Sequence, residues 1–231
     1  MNSWDRELEK LEKLSPNSEK TKLIEEMFHS SIWNHLNSEQ KIKLMELLEI
    51  DLAYQDNREP NKLQVWLKLP SRASAAFPAS NAIRISKHHL ENIGIGSNVL
   101  FYCAVVHEHE HFNQYYDSIS DKKDSLTEEM RDNLKSLIPY GNKMATQYIE
   151  YRFQPTEYYA HKNSEVRTRK VFERLTQDLG PDEGFEKWKR EECIPTDFLV
   201  QLYNEENGTS FSFEELYNKI LEKIKGKKFQ K

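Results

Sequence analysis

Apolar positions recur at helical spacing over the first 55 residues. Leu8, Leu11 and Leu14 share one face of a segment that Pro16 ends. A second helix, capped by Asn17 or Ser18, carries Leu23, Ile24, Met27, Phe28 and Ile32. A third begins at Ser38 and lines up Ile42, Leu44, Met45, Leu48 and Ile50. The period then falls to two. Residues 63–69 alternate apolar and polar positions as a half-buried strand does, and Pro70 closes the run. Residues 71–80 are rich in Ser, Ala and Pro and read as a loop, and residues 81–86 form a second short alternating strand. After the break at Gly94-Ile-Gly96, Ser97 or Asn98 opens a helix containing an apolar run, residues 99–106, and then His107-Glu-His-Glu-His111. Residues 118–124 read as a loop. Further helices are expected over 126–137, 142–153, 155–179, 182–193, 196–204 and 213–225. Pro155 suits the first turn of its helix, Gly180-Pro181 stops it, and Ser212 with Glu215 matches a capping box for the last. Many helices with one small sheet predict an α+β fold. The shifts in pattern divide the chain into an N-terminal helical region (1–58), a core (59–180) and a C-terminal helical region (181–231).

Composition narrows the function classes. A net charge of -5 and a pI near 6.0 give no global basic field for nucleic acid. The lysines at 223, 225, 227, 228 and 231 read as a solvated helix end. Mean hydropathy is low, at -0.84, yet aromatic residues make up 11% of the chain, which supports a folded core. The longest apolar run, eight residues, is too short to span a bilayer. The first ten residues have no signal-peptide core, and two lone cysteines, Cys103 and Cys193, set up no disulfide framework. These features lead to the expectation of a soluble cytoplasmic protein with no nucleic-acid or membrane partner.

The chemistry concentrates in residues 107–111. At about 100° per residue, His107 and His111 lie one turn apart and differ by about 40°, so two imidazoles can share one tetrahedral zinc ion. His109 points about 200° away from His107 and cannot reach the same ion. Glu108 completes His-Glu-x-x-His, in which a carboxylate beside the first ligand takes a proton from metal-activated water. The same residues also satisfy the inverted pattern His-x-x-Glu-His through Glu110, which lies about 60° from His107 on the other side. Angle alone leaves both glutamates open. The bland alternative is a polar helix end with clustered histidines, but a solvated helix is not normally preceded by eight apolar residues.

A strand at 81–86, a connecting segment and an apolar helix ending in His-Glu-x-x-His together resemble the zincin metallopeptidases. That resemblance covers roughly residues 62–175. It implies a mostly helical core whose sheet presents an edge strand just before the motif helix, a peptide or protein substrate, and peptide hydrolysis with Zn2+ as cofactor. It also favours Glu108 as base, because inverted-motif enzymes are much larger two-half proteins. In the gluzincin branch a glutamate from a second helix is the third ligand. Glu157, in Gln154-Pro-Thr-Glu-Tyr-Tyr-Ala-His161, matches the Glu-x-x-Ala arrangement of small bacterial gluzincins, while Glu150, Asp117 and Glu165 match less well. His161, one turn on, is a candidate to orient Glu157. Tyr148, Tyr158 and Tyr159, with Tyr151 beside them, are candidates to donate a hydrogen bond to an oxyanion. His88 and His89 read as surface histidines. Two other classes stay in view: a zinc-holding scaffold without turnover, and a helical interaction or regulatory protein working through its N-terminal helices.

Overall fold

The computed structural model describes residues 3–67, 74–77, 80–91, 94–121, 123–139 and 145–226. The fold is α+β and mostly helical. The N-terminal periodicity becomes α1 (Ser3–Lys13), α2 (Ser18–Glu26), α3 (Ser30–Trp33) and α4 (Ser38–Gln55). Asn17 caps α2 by accepting from the Lys20 backbone N–H at 2.8 Å. Asn37 and Gln40 close a reciprocal capping box on α4. The single second helix expected from periodicity is broken at His29, whose backbone is extended and whose side chain caps α3.

Among the described residues three strands follow: β1 (Lys62–Trp66), β2 (Ser74–Phe77) and β3 (Ala82–Ser86). Their spatial order is β1-β3-β2, with β1 parallel and β2 antiparallel to β3. Two expectations need correction. Part of the segment read as a loop, residues 74–77, is a strand. In consequence β3, expected to be the edge strand before the motif helix, is the central one. Its burial agrees: Ala82, Ile83, Ile85 and Ser86 are each fully buried, although the alternation suggested one wet face.

A short α5 (Lys87–Glu91) leads to α6 (Ser97–Ile119), which carries the motif. The remaining helices are α7 (Ser125–Lys135), α8 (Ala145–Arg152), α9 (Pro155–Leu179), α10 (Glu183–Glu191), α11 (Thr196–Asn207) and α12 (Phe213–Gly226). Part of the expected 142–153 helix, residues 142–144, lies outside the described residues. The Ser212–Glu215 capping box is formed, with bonds of 2.7 and 3.3 Å. Among the described residues, no helix is long and apolar enough to cross a membrane.

The chain forms two compact units, Met1–Glu110 with Asn163–Glu192, and His111–Lys162 with Cys193–Lys231. They do not coincide with the three consecutive segments expected from sequence, since positions 58 and 180 both lie inside the first unit. The divisions fall within α6 and α9, each an unbroken helix. The first unit is built on a chain of ring contacts running Trp33–Phe28–Tyr102–Phe172–Phe185–Trp188. The second has its own core, in which Ile149 and Phe153 pack with Leu199, Tyr203, Leu216 and Ile220.

Candidate metal centre

The start of α6 is seated by polar contacts inside the first unit. Trp33 Nε1 donates to Ser97 Oγ at 2.9 Å, and Asn98 Nδ2 donates to Phe28 O and to Asp182 Oδ2 at 3.0 and 2.9 Å. Along the helix, Val99, Phe101, Tyr102, Val105, Val106 and Phe112 are buried. Leu100, Cys103, Ala104, His107 and His111, at intervals of three and four, form a half-buried stripe between them. The expected ligand face is thus the accessible one.

His109 projects into the interior instead. Its Nδ1 lies 2.8 Å from Glu49 Oε2 and its Nε2 lies 2.7 Å from Asp56 Oδ2, with Arg58 against the same ring. Glu49 is completely buried and also accepts from Arg58 and from the Asn61 backbone and side chain. Burial opposes charge on both groups. The hydrogen bonds from His109 to Asp56 and Glu49 outweigh it, so His109 is held above its ordinary value and Glu49 below. This histidine has a structural partner set of its own.

The two glutamates also separate. Glu108 is buried and its Oε1 accepts a 2.8 Å bond from Ser74 Oγ, on the edge strand β2. Glu110 sits at a half-buried position and its Oε2 accepts from Asn163 Nδ2 at 3.0 Å. Only Glu108 faces the sheet through such a bond among the described contacts.

Glu157 stands in the first turn of α9, and a buried polar network holds that turn. Thr156, at the second helical position, donates its backbone N–H and its hydroxyl to Asn133 Oδ1 at 3.0 and 2.6 Å. Asn133 Nδ2 donates to Gln154 Oε1 at 2.9 Å, and Gln154 exchanges bonds with the backbone of Ile138. Asn133 and Gln154 are fully buried, and Thr156 nearly so. From this support Glu157 Oε1 lies 3.5 Å from His111 Nε2, and Glu157 Oε2 lies 3.9 Å from His161 Nε2. His107 is one turn before His111 on the same helix, and Glu157 and His161 stand one turn apart on α9. The donor set suits zinc: imidazole nitrogens and a carboxylate oxygen at bond lengths of about 2.0–2.2 Å, arranged tetrahedrally, lie ~3.4 Å apart. The His111–Glu157 separation is close to that length.

Several of the remaining candidates have partners of their own. Tyr158 packs among Phe153, Phe213, Tyr159 and Tyr217, and Tyr148 packs against the core of the second unit. Burial, with Tyr159 beside it, pushes the Tyr158 hydroxyl up from its ordinary value. Lys223 donates to Glu150, which therefore has a surface partner. His89 Nδ1 lies 2.9 Å from Ser86 Oγ, and His88 stacks edge-on against His89.

Ser74, Gln114, Asn133, Gln154 and Thr156 were not singled out from the sequence. Gln114 carried one usable signal: it is three residues after His111, hence on the adjacent helix position. The others meet the site through tertiary contacts that spacing does not encode. Comparison with protein-family models, with curated proteins and with solved structures returned no match.

Proposed function

We propose that the protein is a zinc-dependent peptidase in which His107, His111 and Glu157 hold the ion and Glu108 is the general base. The observation that carries this reading is the approach of His111 Nε2 to Glu157 Oε1, 3.5 Å, from a helix turn that a buried network fixes. Zinc held here supplies Lewis-acid activation of water, whose pKa it lowers towards ~7. The chain's own residues supply the rest. Glu108 takes up the proton on a carboxylate oxygen, and Ser74 restrains that carboxylate by donating to Oε1. His161, beside Glu157 Oε2, orients the ligand carboxylate. The burial of Glu108 and its bond to β2 support Glu108 over Glu110 for the base.

Glu108→Gln keeps the volume of the side chain and removes its basicity. Zinc stays bound, and hydrolysis of a peptide library, followed by mass spectrometry, falls by roughly 10²- to 10⁴-fold. Glu110→Gln retains most activity. A dead Glu110→Gln beside an active Glu108→Gln would establish the inverted motif instead. The Ser74 bond also favours a second reading, a zinc-holding module whose base is kept occupied. That reading takes over if wild type and Glu108→Gln leave the library equally intact while both bind zinc.

A further inference from the structure

We propose that Gln114 is a positioning residue that locks His111 as its Nδ1–H tautomer and so turns Nε2 towards the metal; the metal half of this inference rests on the zinc reading above. Gln114 lies one turn after His111 and is buried, with about one-twentieth of its surface exposed (5%). Its Nε2 donates to the Thr156 carbonyl at 2.9 Å. A backbone carbonyl can only accept, so the amide nitrogen must face Thr156 and Oε1 must face the other way. Oε1 lies 3.1 Å from His111 Nδ1. That oxygen can also only accept, so the proton of the neutral ring sits on Nδ1 and the lone pair on Nε2. Nε2 is the nitrogen that lies 3.5 Å from Glu157 Oε1.

The orientation of the amide is itself enforced. Flipping it would set Gln114 Oε1 against the Thr156 carbonyl oxygen, in a buried place where two facing acceptors are costly. Thr156 cannot move aside, because its N–H and hydroxyl are both held by Asn133 Oδ1. One side chain therefore ties the ring of one expected ligand to the residue directly before the other. A buried glutamine explained by packing alone would need no such pair of directional bonds.

The experiment compares the full chain, treated with chelator and labelled with 15N, as wild type, Gln114→Leu and Gln114→Glu. Long-range 1H–15N correlations, at a pH where the ring is neutral, report which His111 nitrogen carries the proton. Wild type shows the Nδ1–H form, and so does Gln114→Glu, which keeps an acceptor facing Nδ1 while giving up the N–H that meets the Thr156 carbonyl, whereas Gln114→Leu shifts towards Nε2–H. Zinc alone is then titrated against a competing chelator. Gln114→Leu loses about 10- to 100-fold in affinity, and Gln114→Glu, which keeps the acceptor but not the bond to Thr156, loses less. Wild type found as Nε2–H, or Gln114→Leu folded with its tautomer unchanged, overturns the proposal. If Gln114→Leu does not fold, Gln114→Glu in the Nε2–H form overturns it equally. Tautomers as predicted with no zinc bound by any of the three support the lock and overturn the metal reading.

Discussion

His109 and His111 stand two positions apart on one helix and meet opposite surroundings. His111 lies on the half-buried stripe, whereas His109 is enclosed by Glu49, Asp56 and Arg58. The angular argument excluded His109 as a ligand but gave no hint of its partners, because Glu49 and Asp56 are 60 and 53 positions away in the chain. Replacing it is therefore costly for the fold. His109→Gln removes one of the two cationic partners of the buried Glu49 and leaves Arg58, so the loss is at most the roughly 3–5 kcal/mol of a fully broken buried pair. The effect depends on pH. His109 is raised, so its contribution is complete below its ordinary value of 6.5 and is lost as pH rises through the higher folded value. Glu49 is lowered, so its contribution is present above 4.5 and is lost as pH falls through the lower folded value. Chemical denaturation from about pH 6 to about pH 9 shows the gap between wild type and His109→Gln narrowing as pH rises. A gap independent of pH would contradict the assignment of charge to that ring.

Helices were more legible than strands because their signals are local. Asn17, Pro155 and the Ser212–Glu215 pair act within a turn of where they stand, and the corresponding helices begin where those residues predict. The strand β2 has no such signal. Ser74-Ala-Ala-Phe77 is short and mostly small, and what makes it a strand is its antiparallel ladder with β3. Missing it also misplaced β3, since whether a strand is central depends on its neighbours. The start of α6 shows another contact that local pattern cannot reveal. Asp182 caps α10 by accepting from the Phe185 N–H at 2.9 Å, and its other oxygen accepts from the Ser30 N–H and from Asn98 at the head of α6. Gly184 passes so close that a Cβ there would fall 2.2 Å from Asn98 Oδ1. Gly184→Ala must displace that amide, and overpacking of this kind costs about 1–3 kcal/mol. Thermal and urea melts check it: a lowered midpoint with an unchanged denaturant slope is expected, and an unchanged midpoint would mean that Asn98 yields freely.

For the whole molecule, the α+β class and the spacing of His107 and His111 were readable from one sequence, while the grouping of the chain into units was not. Residues 163–192 belong with the N-terminal half because α9 runs on for 25 residues, through Phe172 into the aromatic chain of the first unit. Glu157 could be nominated because Glu157-x-x-Ala160 resembles the gluzincin arrangement, but its geometry rests on Asn133, Gln154 and Thr156, whose partners lie at separations no motif specifies. Everything proposed about function depends on an ion being held by His107, His111 and Glu157. The direct test is the zinc content of the purified full chain, measured by elemental analysis beside His111→Ala and Glu157→Ala, with folding of each verified. The account predicts about one zinc per wild-type chain and loss of stoichiometric zinc in both variants. A wild type that neither carries zinc nor takes it up, or folded variants that keep it in full, would contradict the account.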